Sequence, residues 1–168
     1  MAFKPARPDQ ISLVQKKVLL GNTLTVKLGD VIIADQSNFG LATNASVTGD
    51  SKSILGVVVG FTDVNNSVLS NGDQTSVATG SGGTTYAVYA PAFQWMEFYA
   101  PLDAVSATTT GSDKPFVYFD LQDATQLHEA SVTHAGSVGQ FLSHGVDPLN
   151  SSQVIGHFVE TIWGQANT

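Results

Sequence analysis

The chain has 168 residues, a net charge of −7 and no cysteine, and its 12% of charged side chains is about half the ~25% usual in soluble domains. A chain of this length can bury a conventional core, roughly 70% of the surface its unfolded form exposes. Without cysteine there are no disulfides, Cys-ligated zinc sites, iron–sulfur clusters or thiol nucleophiles, so the fold rests on packing and hydrogen bonds.

The charge is unevenly placed. Lys4, Arg7, Lys16, Lys17 and Lys27 stand against Asp9 alone in residues 1–27, while residues 28–168 carry Lys52 and Lys114 against thirteen acids. A basic segment thus precedes an acidic body, a pattern that suits either a solvated tail that collects lysines or an arm gripping an acidic partner. Nucleic acid is not expected as a partner, because the acidic body repels phosphate and no basic patch is interleaved with aromatics. The N-terminus lacks the apolar run of a secretion signal, and no stretch approaches the ~20 apolar residues that span a bilayer. The expectation is a protein made in soluble form inside a cell, with no membrane partner.

In chain order, residues 1–15 hold Pro5 and Pro8 and no sustained periodicity, which predicts an extended N-terminal arm with Phe3 as an anchor. Residues 16–168 read as one β domain. "TLTVKLGDVIIA" alternates through Leu24, Val26 and Leu28, turns at Gly29-Asp30 and enters the β-branched run Val31-Ile32-Ile33. "FGLAT" is a short strand or edge. "SILGVVVGF", residues 53–61, follows as an apolar strand expected to be buried on both faces, with Gly56 and Gly60 marking a bulge or a close backbone approach where a side chain does not fit. "TTYAVYA" and "FQWMEFYA" are aromatic strands separated by Pro91, and "FVYFDL" is another strand.

Asp123 and Gln126 have the spacing of a helix N-cap box, so "ATQLHEA" is predicted as the one short helix. "GQFLSH" and "QVIGHFVETIWG" close the chain as strands. Short strands broken by Gly, Asn, Asp and Ser turns predict an all-β fold, a single β-sandwich or β-barrel-like domain with an extended N-terminal arm and at most one short helix.

Chemical motifs are sparse. There is no G-x-S-x-G elbow, no P-loop and no H-E-x-x-H, so the chain is read as a non-enzyme with no cofactor and no metal. His128, His134, His144 and His157 lack the spacing that sets two ligands on one strand or helix face, and they read as surface or hydrogen-bonded histidines rather than as zinc ligands gathered across strands. The stretch from Asp63 starts like a calcium loop but has Val68 where Gly is needed and Gln74 where Glu is needed. Asp120 with Asp123, or Glu97 with Asp103, form pairs that a glycosidase could use only if their carboxylates converge in space. Tyr86, Tyr89, Trp95, Tyr99 and Trp163 could form a sugar-stacking platform, against the commoner reading of core or subunit contact.

The order of features carries a resemblance. A short arm, then "LGDVIIAD", "GLATNA", "ILGVVVGF", "TTYAVYAPAFQWMEFYA" and "VIGHFVETIWG" is similar to a pattern in tailed-bacteriophage head proteins of the decoration, or cement, type. The chain departs from that pattern in placing Ala90-Pro91 before the second aromatic strand, where those proteins often carry an Asp-Pro turn followed by an acidic-aromatic stretch. The resemblance implies a structural protein of the virion, made in the host cytoplasm. It implies a homo-oligomer, a trimer by preference, that binds the outside of the capsid and clamps neighbouring major capsid subunits. On that reading Phe3, Lys4, Arg7, Lys16 and Lys17 contact the shell, and Trp95, Phe98 and Trp163 build the core or the subunit interface. Deleting residues 1–15 is then expected to leave a folded domain that no longer binds capsids. The rival expectation is a carbohydrate- or receptor-binding β module of a phage tail fibre.

Overall fold

A computed structural model describes residues 2–21, 25–35, 41–45, 54–69, 75–76, 84–103, 115–133, 139–159 and 161, with the backbone alone at 75–76 and 129–133. Trp163 and His134 lie outside the described residues. The fold is all-β, as the strand and turn pattern predicts, with one short helix among the described residues.

Among the described residues, two curled sheets enclose one core between them, and the barrel formed by the first holds a second inside it. The first is a closed barrel of β2 (Lys16–Leu20), β4 (Val31–Ala34), β5 (Leu41–Asn44), β6 (Ile54–Asp63) and β8 (Thr85–Pro91), in the order β2-β5-β4-β6-β8. It closes through a parallel pairing of β2 with β5, while the remaining contacts are antiparallel. The second is a six-stranded antiparallel sheet of β1 (Lys4–Pro5), β9 (Phe98–Pro101), β10 (Val117–Asp123), β11 (Gln126–Thr133), β12 (Phe141–Asp147) and β13 (Asn150–Phe158), in the order β1-β9-β13-β12-β10-β11. Short strands β3 (Thr25–Val26) and β7 (Thr75–Ser76) pair beside them.

The apolar stretch is the hinge between the two cores. Leu55, Val58 and Phe61 fill the barrel with Leu20, Ile32, Ala87 and Tyr89, while Ile54 and Val57 face the inter-sheet core of Val31, Phe98, Phe119, Phe141 and Phe158. Simple alternation cannot put residues three apart on one face. Register shifts make up the difference: pairing skips Leu55 opposite β4 and Val59 opposite β8, so each bulge resets which face is inward. Gly56 lies where a Cβ would stand 2.0 Å from the Ala90 carbonyl oxygen, at φ +157°. Gly60 differs from the sequence expectation: a Cβ there would meet only Val88 Cβ at 3.8 Å, an ordinary contact, so Gly60 sits beside a bulge but not at a close approach.

Two local expectations are corrected. Residues 1–15 are not an extended arm, because Pro8–Val14 form helix α1 and Lys4 and Pro5 pair with Tyr99 and Phe98 as strand β1. Pro8 suits the first helical turn, which needs no amide donor, and Asp9 complements the positive end of the helix. Ile11 and Val14, three apart, then pack on the inter-sheet core. The predicted helix at "ATQLHEA" is instead a hairpin: Asp123 Oδ1 accepts the Thr125 amide and hydroxyl, both at 2.7 Å, turning β10 into β11. Capping and Asx-turn geometry begin with the same side-chain bond, and the alternation of buried Leu127 with outward His128 carries the chain on as strand.

Candidate functional site

The segment Phe93–Glu97 connects β8 to β9. The Met96 amide donates to the Phe93 carbonyl at 2.9 Å, a tight turn that buries Met96 and leaves Gln94 and Trp95 outside. Trp95 is 58% exposed and its indole stacks on Phe93, centroids 5.4 Å apart at an interplanar angle of 23°. The Glu97 carbonyl accepts the Ala6 amide at 2.8 Å, which brings the start of α1, with Arg7 and Gln10, against this turn.

Across the sheet, β12 carries a register shift between Ser143 and Gly145, with Gly145 at φ +145° and its amide on Ser143 Oγ at 3.1 Å. His144 sits in that bulge and His157 on the neighbouring β13. Bulges re-aim side chains. Here Glu97 Oε1 lies 2.8 Å from His144 Nδ1, and His144 Nε2 lies 3.0 Å from His157 Nδ1. A carboxylate can only accept, so His144 donates from Nδ1 to Glu97. In the neutral form of His144 its Nε2 accepts from His157 Nδ1 and His157 Nε2 ends the chain as an acceptor; in the protonated form the second bond and the terminal role reverse. Arg7, Gln10, Gln94, Trp95, Glu97, His144 and His157 surround a cleft of about 430 Å³ with buried Met96 in its wall.

Burial lowers the His157 pKa below the ordinary imidazole value of 6.5, with His144 adding to the effect and Glu97 opposing it. The sign for stability follows. As pH falls below 6.5 the unfolded chain takes up its proton before the folded one does, so stability is fullest above 6.5 and declines as pH drops towards the lowered folded value. His157→Gln should flatten that decline, which urea unfolding measured across the imidazole range checks; an equally steep profile in the variant would assign the pH dependence elsewhere.

Three of the four acids named from sequence have identified partners other than one another. Glu97 is held by His144, Asp103 Oδ2 lies 3.7 Å from His128 Nε2, and Asp123 forms its own turn. Among the described residues, no group of three or more His, Asp or Glu is arranged to hold a metal ion. The calcium-like stretch is a turn in which Asp63 Oδ1 accepts the Asn65 and Ser67 amides, both at 2.8 Å.

The site residues proposed from sequence divide between core and surface. Phe3 is corrected: at 1% exposure it lies in the inter-sheet core against Phe141 and Phe158 and has no surface with which to touch a partner. Lys4, Arg7, Lys16 and Lys17 are exposed, and Lys17 Nζ donates to Asn66 Oδ1 at 2.9 Å. Phe98 is fully buried, as a core residue should be, whereas Trp95 is not in the core. The five-aromatic platform does not assemble. Tyr89 points into the barrel, where burial pushes its phenol up to about 12, and Tyr86 and Tyr99 stand on different sheets. The Glu97–His144–His157 chain was not legible from spacing, because its members come from a turn and two strands and meet through a bulge. No protein-family model, no curated protein and no solved structure matches the chain.

Proposed function

We propose that this chain is a virion structural protein that binds the outer surface of a phage capsid as a homotrimer and stabilises it by clamping neighbouring major capsid subunits. The observation that carries the reading is the set of exposed cations Lys4, Arg7, Lys16 and Lys17 on a segment docked to an otherwise acidic body. Docking matters energetically. A segment already ordered by β1 and α1 loses little freedom on binding, so its charges can act on the shell without a large ordering cost. Long-range attraction between these cations and an acidic shell speeds encounter, and three copies of one weak contact multiply into firm attachment. The order of apolar and aromatic segments, similar to that of decoration proteins, supports the same reading. Leu149, 95% exposed at the tip of the β12–β13 hairpin, offers an apolar tooth for a neighbouring subunit.

The test is co-sedimentation with capsids of a variant carrying Lys4→Gln, Arg7→Gln, Lys16→Gln and Lys17→Gln. All four side chains are exposed, so the variant should fold, while its affinity for particles drops by at least about tenfold and the wild-type affinity weakens with added salt. Undiminished co-sedimentation of the folded variant would refute the basic segment as the contact.

A further inference from the structure

The cleft beside Trp95 is built for a ligand that the capsid reading does not use. Trp95 lines it with an exposed indole, one face of which is stacked on Phe93. The lining adds a guanidinium (Arg7), two carboxamides (Gln10 and Gln94), a carboxylate (Glu97) and the imidazole that ends the histidine chain (His157). Glu97 uses Oε1 on His144, which fixes the carboxylate and leaves Oε2 to accept from a ligand. The geometry points to a binding site for a neutral pyranose ring, a glycan terminus.

The choice follows from chemistry. An indole face attracts a flat apolar patch, which the axial C–H face of a pyranose supplies. The rim offers donors and acceptors together, and hydroxyl groups are the ligand groups that both donate and accept. A phosphate would meet Glu97 as well as Arg7, and a cation Arg7 as well as Glu97, so the paired charges of the lining favour neither sign and leave a neutral ligand as the one that meets no like charge. A volume of about 430 Å³ falls within the range of small-molecule clefts and holds one or two sugar rings. Arg7 lies at the edge of the cleft and also in the basic segment, so a glycan on the shell or the host surface could be held beside the protein contact.

The experiment is saturation-transfer NMR on the full chain with the methyl glycosides of glucose, galactose, mannose and rhamnose, and with N-acetylglucosamine. At least one should give a saturable signal with a dissociation constant in the millimolar range or tighter, strongest at the ring C–H protons that face the indole. Trp95→Ala should abolish the signal with the thermal midpoint unchanged, because Trp95 is largely solvent-exposed. Glu97→Gln should weaken binding by about tenfold through loss of the charged acceptor. No saturable signal from any of the five sugars, or one that survives Trp95→Ala, would overturn the assignment. Capsid co-sedimentation of the variant carrying only Lys4→Gln, Lys16→Gln and Lys17→Gln, none of which lines the cleft, is independent of either result.

Discussion

Truncating Phe3 to alanine should lower the stability of the domain by about 3–5 kcal/mol, the range for removing a large aromatic from a packed core. Phe3 is 1% exposed, its ring lies 5.7 Å from Phe158 and 6.3 Å from Phe141, and its amide donates to the Gly29 carbonyl at 3.2 Å. The cavity left behind would open between the two sheets, where Phe98, Phe141 and Phe158 pack edge to face and cannot all collapse into it. Urea unfolding gives the loss directly. Deleting residues 1–15 should cost more still, because β1 and the Ile11 and Val14 contacts go with it. This reverses the expectation of a dispensable arm. A deletion that abolished capsid binding would report unfolding as readily as a lost contact, so the charge-neutralising variant is the informative one. A midpoint unchanged by Phe3→Ala would mean that the first strand does not pin the segment to the body.

Gly56→Val is the second large effect. Even a methyl group there would stand 2.0 Å from the Ala90 carbonyl oxygen and 3.0 Å from Pro91 Cα, both backbone atoms that move only if β8 moves. The positive φ adds strain that a β-branched residue cannot relieve. A loss of about 3 kcal/mol or more follows, and Gly56→Ala should show much of it. Gly60→Ala is the internal control. Its Cβ would rest 3.8 Å from Val88 Cβ, so its stability should change by less than about 1 kcal/mol. Equal effects at the two glycines would contradict the account of β6 as a strand pressed against β8 at one glycine only.

The architecture was legible where burial and period agree. "SILGVVVGF" reads as a strand covered on both faces because it has no polar face, and β6 runs between the barrel core and the inter-sheet core. The sequence does not say which residue faces which core, since two bulges break the period of two. Helix α1 escaped notice because seven residues give too few turns for a 3.6-residue pattern. Pro8 followed by Asp9 was the only start signal, and Pro5 and Pro8 together suggested extension instead. Phe3 looked like an exposed anchor because a lone aromatic among basic and proline residues carries no sign of its burial. The candidate cleft was half visible. Trp95 stood out as a possible stacking surface, but its companions Glu97, His144 and His157 are 47 and 13 residues apart and meet only through the pairing of β9, β12 and β13.

The central claim is attachment to the outside of a phage shell, and imaging tests it most directly. Electron cryomicroscopy of capsids with and without this protein should show protrusions, three copies around each threefold or quasi-threefold position, present only when the protein is. Each should accommodate the barrel and the six-stranded sheet with the segment of Lys4, Arg7, Lys16 and Lys17 turned towards the shell. Particles whose outer surface is identical with and without the protein would contradict the account.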